Sequence, residues 1–191
     1  MCIRDRFHDL GRFSQYRRWR TFRDSDSDNH ARLAIDVIHE KNILLDIASD
    51  EQMLIEEAIR FHNLLKIPDN IKSHTRQYID FIRDADKLDI WRVFVELLQI
   101  PLEERPTAAT LGLVDLPETV TDACVVALNS ASIVRLDTIS CLNDFKLLQI
   151  SWVYDLTTAT SKRFYLNADI LKVLLKRFQR GLIYMKLFQK Q

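Results

Sequence analysis

Apolar residues return along this chain with the period of a helix. Between 30 and 47, Leu33, Ala34, Val37, Ile38, Leu44 and Leu45 share one broad face, and Asp28 and Asn29 stand ahead of them as N-cap residues. Residues 51 to 62 repeat the pattern with Leu54, Ile55, Ala58 and Ile59; Asn63 and then Pro68 close the segment. A longer run from about Ser73 to Leu98 carries Tyr78, Ile82, Ala85, Ile90, Val93 and Leu97. Pro101, Pro106 and Pro117 mark the stretch 101–117 as an irregular connection. Helices are expected again over 118–130, 143–156 and 168–189. Val125-Val126-Ala127-Leu128 alone could be strand, but the surrounding pattern favours helix. The chain shows neither a repeat nor a low-complexity segment. The expected fold class is all-α.

Three ionisable side chains interrupt these stripes. His30 shares its face with Leu33, Ala34, Val37 and Ile38, His62 with Ile55, Ala58 and Ile59, and Asp86 lies between Ile82 and Ile90. A lone carboxylate taken out of water would be driven to protonate, whereas a divalent cation favours ionised Asp and neutral His. His8 and Asp9 add two more ligand types just ahead of Gly11, which reads as a helix terminus. Neighbours in sequence differ by roughly 100° around a helix axis, so both can face one point only near a helix end or a distortion. His30 and His62 also fall at ends of their segments, where ligands from separate helices converge most readily. One inward His is more often a satisfied core residue, and one inward Asp more often pairs with an arginine, here Arg83 or Arg60. Taken together, His8, Asp9, His30, His62 and Asp86 favour a metal site suited to Mn, Fe, Zn or Mg. His39 and His74 lack such company and read as structural or surface residues. Asp24, Ser25, Asp26, Ser27 and Asp28 read as a solvated polar loop with an N-cap, lacking the glycine and closing glutamate of a calcium loop.

Composition narrows the partners. At 191 residues the chain can bury a core, and 47% apolar with 28% charged residues is ordinary for a globular domain. Lys+Arg and Asp+Glu both number 27, giving no basic surplus for general nucleic-acid binding. No apolar run approaches the roughly 20 residues of a membrane span. Met1–Arg6 is charged where a signal peptide would be apolar, and Cys2, Cys124 and Cys141 show no metal-type spacing, so a reduced, cytoplasmic setting is expected. With only Gly11, Gly112 and Gly181, there is no P-loop and no dinucleotide fingerprint.

The ordered segments Phe7-His8-Asp9-Leu10-Gly11-Arg12-Phe13, Ile59-Arg60-Phe61-His62-Asn63 and Ile82-Arg83-Asp84-Ala85-Asp86-Lys87-Leu88 resemble the HD-domain metal-dependent phosphohydrolases over residues 7 to about 95. Asp144-Phe145-Lys146-Leu147-Leu148-Gln149 with Trp152-Val153-Tyr154-Asp155 is similar to the tail of a subgroup of bacterial HD proteins. The resemblance implies an HD-type helical core over 1–100, with 101–191 as a C-terminal helical extension packed on the same domain. It implies hydrolysis of a phosphomonoester or phosphodiester by metal-activated water at one or two divalent ions. His8, Asp9 and Asp86 would be the shared ligands, with Asp9 as the catalytic and bridging carboxylate. His30 and His62 match the extra histidines of the two-metal branch. The family has an earlier ligand histidine well before the His-Asp pair, and only seven residues precede His8-Asp9 here, so the chain reads as an N-terminally truncated fragment. Leu64-Leu65-Lys66-Ile67-Pro68 stands where the cyclic-di-GMP branch has Gly-Tyr-Pro, which disfavours that branch.

Residues 12 to 23 interleave arginine with aromatics: Arg12, Phe13, Tyr16, Arg17, Arg18, Trp19, Arg20, Phe22 and Arg23. Such a stretch grips a nucleotide by phosphate contact and stacking, or else forms a loop with its aromatics on the bundle and its arginines in water. Arg12, Arg18 and Lys87 are the candidate phosphate contacts. The expected activity is therefore metal-dependent phosphohydrolysis of a nucleotide or other phosphorylated metabolite, with a homo-oligomer left open. The competing reading is a catalytically inactive helical module that binds a nucleotide or a protein partner, and metal content separates the two.

Overall fold

The computed structural model describes residues 7–106 and 110–167. Seven α-helices and no strand occur among them. They are α1 (Leu10–Trp19), α2 (His30–Glu40), α3 (Ser49–Phe61), α4 (Ser73–Gln99), α5 (Asp122–Asn129), α6 (Leu142–Ser151) and α7 (Ala159–Asn167). The chain divides into two compact units, Met1–Asp86 and Lys87–Gln191. The division falls inside α4. None of the described helices is long and apolar enough to cross a membrane.

In the first unit, α2 starts where its cap predicts: the Asn29 side chain accepts the Arg32 N–H at 3.1 Å. It buries Ala31, Leu33, Ala34, Ile35 and Ile38. The helix stops at Glu40, short of 47, because Asn42 takes a left-handed backbone at φ 52°. Leu44 is buried all the same, and the Gln52 amide pins the turn by donating to the carbonyls of Leu44 (2.8 Å) and Ile47 (2.7 Å). Ile55 and Ile59 of α3 join Ala34, Ile35, Ile38 and Leu44 in one core cluster. A second gathers Ala58, Ile67, Ile79 and Ile82.

Most of the stretch 12–23, for which a loop is one reading, is helical: α1 runs through Trp19. Gly11 is its second residue rather than a helix terminus. The reason is packing: a Cβ at Gly11 would lie 1.9 Å from the His30 carbonyl oxygen and 2.6 Å from the Ala34 nitrogen. Only glycine lets α1 approach the backbone of α2 this closely. Gln15, one turn on, is fully buried.

Along α4 the buried stripe differs from the expected one. Ile79, Ile82, Trp91, Phe94, Leu97 and Leu98 are buried, while Ala85 and Val93 are exposed. In the second unit Trp91 anchors a cluster with Phe94, Leu128, Leu142, Phe145, Leu147 and Tyr165. Its ring lies 4.3 Å from that of Tyr165, and its Nε1–H donates to the Gln149 carbonyl at 3.0 Å. Helix α5 begins at Asp122, later than 118, and α6 ends at Ser151 before a 3-10 turn over Trp152–Tyr154. Helix α7 was not foreseen, and the segment 168–189 expected to be helical lies outside the described residues.

Candidate metal centre

His8 and Asp9 occupy the turn that leads into α1, with Asp9 at the N-cap position. That turn resolves the angular problem of adjacent ligands. His8 Nε2 lies 3.7 Å from Asp9 Oδ2 and 3.5 Å from Asp86 Oδ1, so the turn reaches α4. His30 opens α2 and His62 caps the C-terminal end of α3; both rings are buried. Four separate helices or helix ends thus bring His8, Asp9, His30, His62 and Asp86 together within the first unit. Ligand atoms of His8, His62 and Asp86 lie within 4.8 Å of one another, as do those of Asp9, His30 and His62.

The hydrogen bonds assign the histidine tautomers. His30 Nδ1 lies 2.8 and 3.0 Å from the two oxygens of Asp24, an acceptor-only carboxylate, so Nδ1 carries the proton. His62 Nδ1 lies 2.6 Å from the Ile59 carbonyl and donates to it. Each ring therefore presents an Nε2 lone pair, and these two nitrogens stand 3.2 Å apart. Two lone pairs facing each other under burial repel unless a proton or a cation sits between them. Burial is also what holds the His62 ring neutral, with its pKa pushed down to about 4; His30 and His8 add to that, against the pull of Asp86 and the Ile59 carbonyl.

The spacing fits a cation. Bonds of about 2.0–2.2 Å to nitrogen and oxygen place neighbouring ligands roughly 3–3.5 Å apart. Nε2 of His30 is 3.2 Å from His62 and 3.6 Å from Asp9 Oδ1, and the His8–Asp86 edge is 3.5 Å. Three imidazoles and two carboxylates suit a borderline divalent ion.

Around the candidate ligands lies a hydrogen-bonded shell that the sequence did not disclose. Asp24, expected in a solvated loop, accepts from His30, from Gln15 Nε2 (2.8 Å) and from Asn63 Nδ2 (3.2 Å). Burial would raise its pKa, but His30, Gln15 and Arg12 outweigh that and hold it below 3.8. Gln15 also donates to Ser27 Oγ and the Asp28 carbonyl, tying the loop 24–28 to α1. The Arg83 guanidinium donates to the carbonyls of His62 (3.0 Å) and Leu64, fixing the turn that carries His62. The signal for Asp24 was faint: an acid six positions ahead of a helix-opening histidine resembles any capped loop.

The candidate phosphate contacts fare differently. The Arg12 guanidinium is spread over Asp9 Oδ1 (3.3 Å), Gln15 Oε1 (3.2 Å), the Phe22 carbonyl (2.7 Å) and Asp24 Oδ1 (3.4 Å). Arg18 is exposed, with its guanidinium 5.8 Å from the Trp19 ring centroid. Lys87 lies in the second unit, 2.8 Å from Asp155 Oδ2. Of the aromatics nearby, Phe13 points to solvent, and Tyr16 stacks on Phe22 at 4.9 Å. His39 pairs with Glu56 at 2.7 Å, and exposed His74 meets Tyr78 edge-on. Compared with family models, with curated proteins and with solved structures, the chain matches none.

Proposed function

We propose that this protein is a metal-dependent phosphohydrolase of the HD type, acting in the cytoplasm on a nucleotide or other phosphorylated metabolite. One observation carries the reading: the Nε2 lone pairs of His30 and His62 face each other at 3.2 Å, and both Nδ1 protons are already committed elsewhere. His62 has a single inward lone pair and belongs to both ligand trios, so it would serve one ion at a time, with His8, Asp9, His30 and Asp86 completing a site for one or two ions. A divalent ion there would supply a water acidic enough to attack phosphorus near neutral pH, and charge to offset that of the phosphate. The chain's own residues provide the rest. Buried His30 and His62 exclude water from one side, while Asp9, half-exposed, leaves the other side open to a substrate. Arg12 has its Nε and Nη1 engaged by internal acceptors, which fixes the fork beside Asp9 and leaves Nη2 to meet a phosphate oxygen.

The test is elemental analysis of purified protein, followed by hydrolysis assays with nucleoside monophosphates, cyclic nucleotides and sugar phosphates in the presence of Zn²⁺ or Mn²⁺. One or two metals per chain are expected, with phosphate release that Asp86→Ala abolishes. A chain that takes up no metal, or releases phosphate equally well with Asp86→Ala, overturns the proposal.

A further inference from the structure

Asp24 is drawn into this centre without being a ligand. Its carboxylate receives the Nδ1–H of His30 at 2.8 Å, and the ring's opposite nitrogen is the one that faces Asp9 and His62. The carboxylate is itself held from three directions: Gln15 of α1, Asn63 beyond α3 and Arg12 of α1. Gln15 is fully buried, so its amide has little freedom to release Asp24. Meanwhile Arg12 touches both Asp9 and Asp24, linking a ligand to the residue behind another ligand. A neutral imidazole would otherwise divide between its two tautomers, only one of which presents a lone pair inward.

We propose that Asp24, oriented by Gln15, is a positioning residue that locks the His30 ring in its Nδ1–H form and aims Nε2 at the cation. This rests on the metal-site reading above. The carboxylate–histidine pairing raises the basicity of the ligand nitrogen and fixes the plane of the ring, so its loss weakens metal affinity while the ligands themselves remain. Gln15→Ala acts through Asp24 and gives a smaller loss of the same kind.

The experiment compares full-length wild type, D24A, D24N and Q15A by calorimetric titration with Zn²⁺, alongside ¹⁵N NMR of the histidine rings in metal-free protein. The expected result is zinc binding about 10–100-fold weaker in D24A. D24N, which keeps an uncharged acceptor of the same shape, falls between D24A and wild type. In the NMR spectra His30 is expected as the Nδ1–H form in wild type and as a mixture in D24A, a change that simple loss of stability would not produce. Circular dichroism establishes that the variants fold; should D24A fail to fold, D24N and Q15A carry the comparison. Wild-type affinity retained in folded D24A or D24N, or a wild-type His30 protonated at Nε2, overturns the role of Asp24 alone. Wild type that takes up no zinc overturns the metal site and this role with it.

Discussion

Asp144 in the second unit and the His30–His62 pair in the first are polar groups set among buried side chains, and their neighbours treat them in opposite ways. Asp144 is saturated. It accepts the Thr121 N–H at 2.7 Å, the Thr121 hydroxyl at 2.7 Å, the Ser140 N–H at 2.9 Å and the Ser140 hydroxyl at 3.0 Å. Burial alone would raise its pKa, yet these donors hold it below 3.8. Beside it, Asn143 clamps the carbonyls of Leu116, Pro117 and Thr119 and receives Lys146 on its oxygen. In the first unit the outer nitrogens are satisfied by Asp24 and Ile59, and the inner lone pairs are turned toward each other. A saturated carboxylate staples two loops and gains nothing from a ligand. Converging lone pairs repel each other until a proton or a cation lies between them.

The comparison can be broken at several points. The largest effect is expected from Gly11→Ala, because the added methyl meets the α2 backbone rather than a side chain that could swing aside. Forcing α1 off α2 should cost about 3 kcal/mol or more and disturb both His8-Asp9 and His30, as denaturant unfolding and zinc titration would register. Next, Asp144→Ala removes the buried acceptor that Thr121 and Ser140 share; these donors are partly or fully exposed and can turn to water, so stability should fall by about 1–2 kcal/mol, with zinc binding unchanged. Loss of zinc binding in that variant would mean the two clusters are not independent.

Metal loading provides the reverse test. At a free Zn²⁺ concentration 100 times Kd, wild type should gain about 2.7 kcal/mol in thermal unfolding, and Asp86→Ala should gain markedly less. The same zinc-induced shift should survive in Asp144→Ala. The smallest effect concerns acid. Because the folded pKa of Asp144 lies below the ordinary 3.8, its contribution is fully present above that value and fades as pH falls through the lower, folded one. Acid titration of stability should therefore show a loss below about pH 3.8 that Asp144→Asn lacks; identical acid limbs in the two proteins would speak against a stapled carboxylate.

Much of the helical layout was legible because a period of 3.6 is a local property. Starts at His30 and Ser73 follow from a cap or a periodic onset, and the seats of His30, His62 and Asp86 on or beside buried faces follow from residue spacing. Helix α1 escaped notice because its exposed face carries Phe13, Tyr16 and Trp19, while the face it buries offers only Gly11 and Gln15, the reverse of an amphipathic pattern. Trp91 rather than Val93 became core because α4 serves two different clusters along its length. Asp24 was hidden for a related reason: its partners lie 6, 9, 12 and 39 positions away, and nothing local couples them.

The sequence by itself determined the helical class, the inventory of ligand-type side chains and the faces on which several of them sit, since each depends on residues within a turn or two of helix. Only the tertiary structure decided that five of those side chains meet, which nitrogen of His30 and His62 faces inward, and that Asp24 stands behind His30. Those outcomes depend on how closely α1 lies against α2, and that approach is set by a contact between a glycine and a backbone carbonyl that no periodicity encodes.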